Sequence, residues 1–304
     1  MTFYIGIDGG GPQTTAVLTD ATGAELARVQ GAAGIVDVLD PEGGAQQLAD
    51  LASAALAHAR IDARATAIVC ALAGAGREPE RTRLEQRLAA QGVAEWVHVT
   101  SDFEAALQDA FGVGSGILVI AGTGSSAWGR NEDGRTARAG GWGHILGDEG
   151  SGYALGHAAL QHCVREHDGR DRAEGWVELV LTQTGLASVE LLVRWAAAAS
   201  KAEIAALAPV VFEAAEQGSA VANCVIEGAG RDIAQHVRAL HERLKPWHDA
   251  PTVALSGGLI APGRPLRRAA VHAIEELNLT LPIFERRIDA ALGAAALART
   301  RRHT

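Results

Sequence analysis

Cysteine is scarce in this sequence of 304 residues, which contains three of them. Cys70, Cys163 and Cys224 are far apart and form no Cys-x-x-Cys pair, so neither a disulfide framework nor a zinc or iron–sulfur site is indicated. No apolar run approaches the ~20 residues that a membrane-spanning helix needs. Neither a basic segment nor a signal-type apolar region precedes the first predicted strand, so we expect a cytoplasmic protein without a membrane role.

Positive charge is also in deficit, since the formal net charge at pH 7 is −9. The sequence has no basic stripe with interleaved aromatic residues, which argues against nucleic acid as a partner. An anionic nucleotide would have to be held by local N–H groups, helix N-termini and a metal ion, because the overall field of the protein repels it.

The length predicts roughly two domains of ~150 residues each. In the first part of the chain, apolar periodicity and turn residues predict elements in the order βββαβαβα. The strands are expected at 3–8, 14–19, 25–30, 66–73 and 96–99, and the helices at 48–59, 80–91 and 103–110. This order fits an open mixed sheet that is covered by helices.

The same pattern begins again after Ser115. Strands are expected at 117–121, 125–129 and 135–139, then mostly helices over 155–245, a buried strand at 252–255 and a last helix over 290–299. We therefore predict two related lobes, 1–112 and 113–304, with the helix at about 290–304 packing back on the first.

Two glycine-rich turns follow predicted strands, Asp8-Gly9-Gly10-Gly11 in the first lobe and Gly122-Thr123-Gly124-Ser125 in the second. A backbone without Cβ can turn at positive φ and bring its N–H groups close to phosphate oxygens. Most strand-ending glycines serve only a tight turn, so either cluster alone is weak evidence. Two such turns on one chain favour a nucleotide held in a cleft between the lobes.

Two aspartates lie where predicted strands end. Asp102 follows a strand and opens a helix, a position that suits a general base facing a substrate hydroxyl but equally suits a helix N-cap. Asp8 ends the first strand, where it could hold Mg²⁺ through water or could be a simple turn residue.

Trp142 is enclosed by glycines in the run Gly140-Gly141-Trp142-Gly143-His144. Such a setting allows a sugar ring to approach the indole or the backbone, although an isolated tryptophan normally serves packing. Asp148 and Glu149 follow shortly and could bind sugar hydroxyls, while Glu149 could equally cap the helix that starts near Ser151.

Together these segments resemble the sugar kinase, actin and chaperone-ATPase superfold. Within it, they are similar to the BadF/BadG/BcrA/BcrD group, which contains the N-acetylglucosamine and glucosamine kinases. The resemblance is carried, in the family's order, by Ile7-Asp8-Gly9-Gly10-Gly11, Ser101-Asp102-Phe103-Glu104-Ala105-Ala106, Ala121-Gly122-Thr123-Gly124-Ser125, Gly140-Gly141-Trp142-Gly143-His144 with Gly147-Asp148-Glu149-Gly150-Ser151-Gly152, and Ala254-Leu255-Ser256-Gly257-Gly258.

The resemblance implies an α/β fold of the ribonuclease H-like, actin/hexokinase type, with mixed sheets flanked by helices in each lobe. It implies ATP-dependent phosphorylation of an amino sugar, N-acetylglucosamine or glucosamine, at the 6-hydroxyl, with Asp102 as general base and Asp8 on Mg²⁺. It further implies ATP contacts by Gly9, Gly10, Gly11, Gln13, Thr14, Gly122, Thr123, Gly124, Ser125, Gly257 and Gly258, and sugar contacts by Gly141, Trp142, Asp148 and Asp37. A homodimer is a further expectation that rests on the resemblance alone.

The chain departs from the family at two places. It reads Pro12-Gln13-Thr14 where the first turn usually continues Thr-Lys-Thr, and Pro12 removes one N–H from the phosphate cradle. The segment 31–38 has no asparagine to touch the sugar, and Asp37 is the substitute.

Two alternatives to a kinase therefore stay open. The first is an ATPase that activates a partner enzyme, which the lack of cysteines near the motifs argues against. The second is a non-catalytic sugar sensor.

Overall fold

The structure, a computed structural model, describes residues 2–9, 13–33, 39–72, 74–75, 78–172 and 174–301. The chain divides into two compact units, Met1–Gly114 with Ile288–Thr304, and Ser115–Arg287. Each unit contains a mixed β-sheet flanked by helices, so the predicted fold class is confirmed. The cleft expected between the lobes stays a prediction.

The first unit is built on a five-stranded sheet. Its strands are β1 (Tyr4–Gly9), β2 (Gln13–Thr19), β3 (Glu25–Ala33), β4 (Ala65–Leu72) and β5 (Ala94–Ser101), and their order across the sheet is β3-β2-β1-β4-β5. β1, β2 and β3 form an antiparallel meander, whereas β4 and β5 run parallel to β1. All eight residues of β4 are buried, as expected for a central strand that helices cover on both faces.

Helices cover both faces of this sheet. On one face, α1 (Pro41–His58) and α2 (Glu80–Ala90) bury side chains such as Leu48 and Leu84 against the sheet. On the other face lie α3 (Asp102–Phe111) and α11 (Ala290–Arg301). A Cβ on Gly6 of β1 would lie 2.1 Å from the carbonyl oxygen of Ala291, so the missing side chain lets α11 pack directly on β1.

The start of α1 differs from the prediction, since the helix begins at Pro41 rather than at residue 48. Asp40 caps it by accepting a hydrogen bond of 3.1 Å from the N–H of Gly43, and proline suits the first helical position. Asp40 and Pro41 indicate this start in the sequence, but Gly43 and Gly44 interrupt the apolar pattern from which the helix was predicted.

The second unit is built on a four-stranded sheet with the order β8-β7-β6-β9. These strands are β6 (Gly116–Ala121), β7 (Ser125–Arg130), β8 (Thr136–Gly140) and β9 (Val253–Ser256). β6, β7 and β8 are antiparallel neighbours, and β9 runs parallel to β6. The predicted second set of strands is thereby confirmed.

Helices make up most of the rest of the second unit. They are α4 (Gly152–His167), α5 (Trp176–Thr184), α6 (Glu190–Ala198), α7 (Lys201–Ala205), α8 (Ala208–Glu216), α9 (Ala220–Arg243) and α10 (Pro265–Glu275). The predicted helical content of 155–245 is confirmed, while α10 is an element that the sequence analysis did not specify. Among the described residues, no helix has the length and apolarity that crossing a membrane requires.

Candidate active site

Asp8 and Asp102 lie at the same edge of the first sheet. Gly9, at the end of β1, pairs with Leu72 of β4, and Leu72 pairs in turn with Ser101, the last residue of β5. Neighbouring strands are about 4.8 Å apart, so the ends of β1 and β5 are separated by about 10 Å. The carboxyl edge of parallel strands is where α/β proteins bind ligands. The fold thus brings the two predicted aspartates to a suitable edge.

Asp102 is a half-buried carboxyl group with a raised pKa. It is the first residue of α3, and the N-cap position belongs to Ser101. Its Oδ1 accepts a hydrogen bond of 3.0 Å from the N–H of Phe103. Burial raises the pKa of Asp102 above its ordinary value, and this effect outweighs the opposing hydrogen bonds from backbone N–H groups. A carboxylate with a raised pKa is a stronger proton acceptor.

The first glycine turn is described only in part. Gly9 is buried at the end of β1, and Asp8 is half-buried and pairs with Thr15 of β2. Gln13 is exposed at the start of β2, and Thr14 is buried. Gly10 and Gly11, which we expect to contact ATP, and Asp37, which we expect to contact the sugar, lie outside the described residues, as does Pro12.

The second glycine turn joins β6 to β7 and is tied to the segment that precedes α4. The N–H of Gly152 donates to the carbonyl of Gly122 over 2.8 Å, and the N–H of Tyr153 donates to the carbonyl of Thr123 over 3.2 Å. The hydroxyl of Ser125 donates to the carbonyl of Glu149 over 2.6 Å. The predicted phosphate turn, the end of the predicted sugar segment and the start of α4 therefore form one hydrogen-bonded structure.

Two N–H groups of this turn remain available. The N–H of Gly122 is used within the turn, donating to the carbonyl of Gly124, and the N–H of Ser125 is 3.5 Å from Asp148 Oδ1. Among the described residues, no partner is found for the N–H groups of Thr123 and Gly124. Adjacent backbone N–H groups of this kind can bind a phosphate oxygen.

Gly257 and Gly258 lie beside the second turn because β9 is parallel to β6. Residue Ser256, at the end of β9, pairs with Ile120 near the end of β6. Gly257 has φ +110°, and a Cβ there would lie only 2.2 Å from the carbonyl oxygen of Ala121. This close approach requires glycine. A Cβ on Gly258, by contrast, would meet no described atom within 4 Å.

Trp142 is presented at the surface of the second unit, with 66% of its area exposed. The guanidinium carbon of Arg138 lies 4.7 Å from the centroid of the Trp142 ring, a cation–π contact that orients the indole. Gly141 has φ +70° and lies against Ser126 of β7. Ile145 and Leu146 continue the exposed apolar surface of this segment.

Asp148 is buried and adopts φ +62°, a conformation uncommon for residues with a side chain. Its Oδ2 lies 2.6 Å from Nζ of Lys201, the first residue of α7. Lys201 was not among the predicted site residues, because the 52 residues between it and Asp148 leave no local spacing that links the two. The available signal was composition, since the chain contains only two lysines.

Glu149 does not cap α4. Ser151 occupies the cap position and accepts a hydrogen bond of 3.2 Å from the N–H of Ala154. Instead, Glu149 Oε2 lies 3.7 Å from Nε2 of His236 on α9. Burial, with the charge of Glu149, raises the pKa of Asp232 one turn away on the same helix. The charge of His236 acts on Asp232 in the opposite direction and lowers the pKa of that carboxyl group.

The described residues contain no group of three or more His, Cys, Asp or Glu side chains that could hold a metal ion. The Mg²⁺ site expected at Asp8 stays a prediction. Asp8 lies near the end of β1, at the carboxyl edge of the first sheet that it shares with Asp102.

The fold of two mixed sheets with helical layers is also found in solved structures of the ROK family. A ROK family glucokinase from Streptomyces griseus, solved with glucose and AMPPNP, has it at a TM-score of 0.62, with 20% identity over 98% of this chain and 99% of that chain, a likeness that concerns the fold alone. Residues 5–298 match the BadF/BadG/BcrA/BcrD ATPase family, and the chain belongs to that family. The resemblance inferred from the sequence motifs is therefore confirmed.

Two closer relatives are named for amino sugar phosphorylation. The chain is 31% identical to an N-acetylmuramic acid/N-acetylglucosamine kinase from Clostridium acetobutylicum over 99% of both chains. A solved structure from Chromobacterium violaceum, provisionally assigned as an N-acetylglucosamine kinase, matches at 28% identity and a TM-score of 0.80, over 99% of both chains. Both relatives are matched along nearly their full length.

Proposed function

We propose that this protein is an ATP-dependent kinase that phosphorylates an amino sugar, N-acetylglucosamine or glucosamine, at its 6-hydroxyl. The observation that carries the proposal is the position of Asp102, a half-buried carboxyl group with a raised pKa at the carboxyl edge of the first sheet. Family membership and the two amino sugar kinase relatives support the same chemistry.

Asp102 acts as the general base. Phosphoryl transfer needs an acceptor hydroxyl in line with the phosphate and a group that receives its proton. Oδ1 of Asp102 is engaged by the N–H of Phe103, which fixes the carboxylate and leaves Oδ2 for the sugar hydroxyl. The raised pKa brings the basicity of this carboxylate closer to that required for proton removal in the transition state.

Backbone N–H groups bind the phosphates. In the second unit, the donors are the N–H groups of Thr123 and Gly124, for which no partner is found among the described residues. In the first unit, Gly9 ends the strand that carries Asp8, and the latter is the group that would hold Mg²⁺. When bound, the ion neutralises phosphate charge. The roles of Gly10, Gly11, Gln13, Thr14 and Ser125 at the phosphates, and of Gly257 and Gly258 at the adenosine, belong to this proposal.

The sugar is bound by the segment around Trp142. The exposed indole, oriented by Arg138, offers an apolar face to a pyranose ring, and the glycine backbone at Gly141 allows close approach. Asp148 and Asp37 are the proposed partners of sugar hydroxyls. Because one relative is named for N-acetylmuramic acid as well, that sugar belongs in any substrate panel.

The proposal is tested by a coupled assay of ADP release with Mg²⁺ and ATP over a panel of glucose, glucosamine, N-acetylglucosamine and N-acetylmuramic acid. We expect turnover that depends on an amino sugar, and a phosphorylated product at the 6-position by NMR. The Asp102→Asn variant should lose about 100- to 10,000-fold in kcat. The matched control is Asp62→Asn, an exposed aspartate of the same unit, which should retain full activity.

The other outcomes point to the alternative functions. ATP hydrolysis that no sugar stimulates would indicate an ATPase that serves a partner protein. Sugar binding without turnover would indicate a sensor. Near-normal turnover by Asp102→Asn would show that the base is another group, even if sugar phosphorylation itself is observed.

A further inference from the structure

An ion pair lies directly against the second glycine turn. Nζ of Lys201 is 2.6 Å from Oδ2 of Asp148, and a Cβ built on Gly124 would lie 2.7 Å from the same Nζ. Within the described residues, no donor is aligned with Asp148 Oδ2 as a hydrogen bond, so the contact is primarily one of charge. The ammonium group occupies the space that a side chain at position 124 would fill, next to the available N–H of Gly124.

The fold holds the lysine backbone at this place. Gly156 and Gly152 of α4 allow α7 to approach closely, since a Cβ on Gly156 would lie 1.9 Å from the carbonyl oxygen of Ile204. Ser200 and Glu203 form a capping box at the start of α7, with both reciprocal hydrogen bonds present. Lys201 follows this cap immediately, so its Cα is fixed while its side chain can still change rotamer.

The two partners differ in their exposure. The side chain of Asp148 is 4% exposed, whereas that of Lys201 is 34% exposed. The buried carboxylate needs a cation, because an unpaired buried charge is costly. An ammonium group has three N–H donors. Because the Lys201 ammonium group is partly exposed, it can keep contact with Asp148 and donate to a second anionic partner at the same time.

Lysine is otherwise nearly absent from the protein. The second of the two lysines, Lys245, is half exposed and pairs with Glu242 over 2.8 Å. A protein with net charge −9 repels a nucleotide polyphosphate at long range, so binding depends on local positive groups. Lys201 is a positive group beside the available N–H donors of the second turn.

We infer that Lys201 is a phosphate-binding residue, whose ammonium group contacts a phosphate oxygen of the nucleoside di- or triphosphate at the second glycine turn while Asp148 keeps it in place. The inference rests on the proposed function and adds to it a residue outside all the sequence motifs. It also gives Asp148 a second role, as the counterion that aligns the lysine.

The experiment measures nucleotide binding without sugar, by calorimetry with ADP and with adenosine in the presence of Mg²⁺. Lys201→Met would leave the buried Asp148 charge unpaired and could destabilise the fold, so the decisive comparison is between Asp148→Asn and the double variant Asp148→Asn with Lys201→Met. These two proteins lack the buried charge equally and differ only in the lysine. Lys201→Arg and Lys245→Met complete the set.

We expect the double variant to bind ADP about 10- to 100-fold more weakly than Asp148→Asn, with adenosine binding unchanged. Lys201→Arg should retain part of the ADP affinity, and Lys245→Met should match the wild type. The KM for ATP should rise in Lys201→Met while the KM for the sugar changes little.

An ADP affinity of the double variant equal to that of the wild type would overturn the inference and leave the kinase proposal intact. A change confined to the sugar KM would also overturn it, because the lysine would then act by positioning Asp148 for the sugar. If the wild-type protein binds neither ADP nor ATP, the proposed function itself fails and the inference fails with it.

Discussion

Gly156 of α4 lies in direct contact with the main chain at Ile204 of α7. A Cβ at position 156 would be 1.9 Å from the Ile204 carbonyl oxygen and 2.9 Å from its carbonyl carbon, distances that no side chain can occupy. The absence of a single methyl group therefore sets the position of α7, and with it the position of Lys201 beside the second glycine turn.

Gly156→Ala should destabilise the protein by about 1–3 kcal/mol, because the new methyl group must push α7 away from α4. Gly228→Ala is the matched control, since it is also a helical glycine but its Cβ would come no closer than 3.8 Å to the guanidinium of Arg231. There, the better helix propensity of alanine should stabilise the protein by about 0.5–1 kcal/mol. Urea denaturation of both variants measures these changes. A free energy of unfolding for Gly156→Ala equal to that of the wild type would contradict the contact between α4 and α7.

Gly257 and Gly258 are adjacent in sequence, but alanine should destabilise the protein only at position 257. Gly257→Ala combines a positive φ with a Cβ 2.2 Å from the Ala121 carbonyl, so the melting temperature should fall, with a strain cost of about 1–3 kcal/mol. Gly258→Ala meets no described atom within 4 Å and should fold normally. If Gly258 contacts the adenosine as proposed, its alanine variant should instead show a raised KM for ATP. An unchanged KM for ATP in a folded Gly258→Ala would remove this residue from the nucleotide site.

Trp142→Ala should raise the KM for the sugar by about 3- to 10-fold and leave the KM for ATP nearly constant. The variant loses the indole face on which the sugar ring packs and no contact to ATP. The exposed position of the indole means that stability should barely change. Val193→Ala, an exposed apolar residue on α6, is a control with no expected kinetic effect. Steady-state kinetics with each substrate varied in turn tests this, and equal effects on both KM values would argue against direct sugar contact.

Asp102 should make both activity and stability depend on pH. Its folded-state pKa is raised by burial, so kcat/KM should decline on the acid side at a higher pH than an ordinary aspartate would give. A raised folded-state pKa also means that the folded protein binds this proton more tightly than the unfolded chain does. The associated stability is present below the unfolded pKa and is lost as the pH rises through the folded pKa.

Asp102→Asn has no charge to bury, so it should melt at a higher temperature than the wild type at pH 7. This difference should shrink as the pH falls toward about 4, where the wild-type carboxyl group becomes protonated in both states. Thermal melts of both proteins between pH 7.5 and 4.5 provide the measurement. A lower melting temperature for Asp102→Asn at pH 7 would contradict the raised pKa.

Much of the fold could be predicted because its signals are local. β4 reads as a continuous apolar run, and it is buried along its whole length. The glycine turn at 122–124 separates two apolar strands, and the structure pairs these strands as a hairpin. The start of α1 was missed because glycines at positions 43 and 44 hide the helical pattern, although Asp40 and Pro41 mark it correctly.

Other relationships depend on residues that are distant in sequence. The spacing of Asp148 and Lys201, or of Glu149 and His236, carries no periodic signal, and each pair meets only because a helix of the second unit packs beside the segment that precedes α4. The same holds for Gly6 and Ala291, which join opposite ends of the chain.

Local signals were sufficient to predict the strands of both sheets, most of the helices, the glycine turn between β6 and β7 and the membership in the BadF/BadG/BcrA/BcrD ATPase family, because periodicity, turn chemistry and motif order are properties of neighbouring residues. Tertiary structure alone decided that Ser101 rather than Asp102 is the N-cap of α3, that Asp8 and Asp102 share one sheet edge, and that one of two lysines lies against the second turn. Those facts depend on strand register and on close approach between helices, which arise when distant parts of the chain pack together.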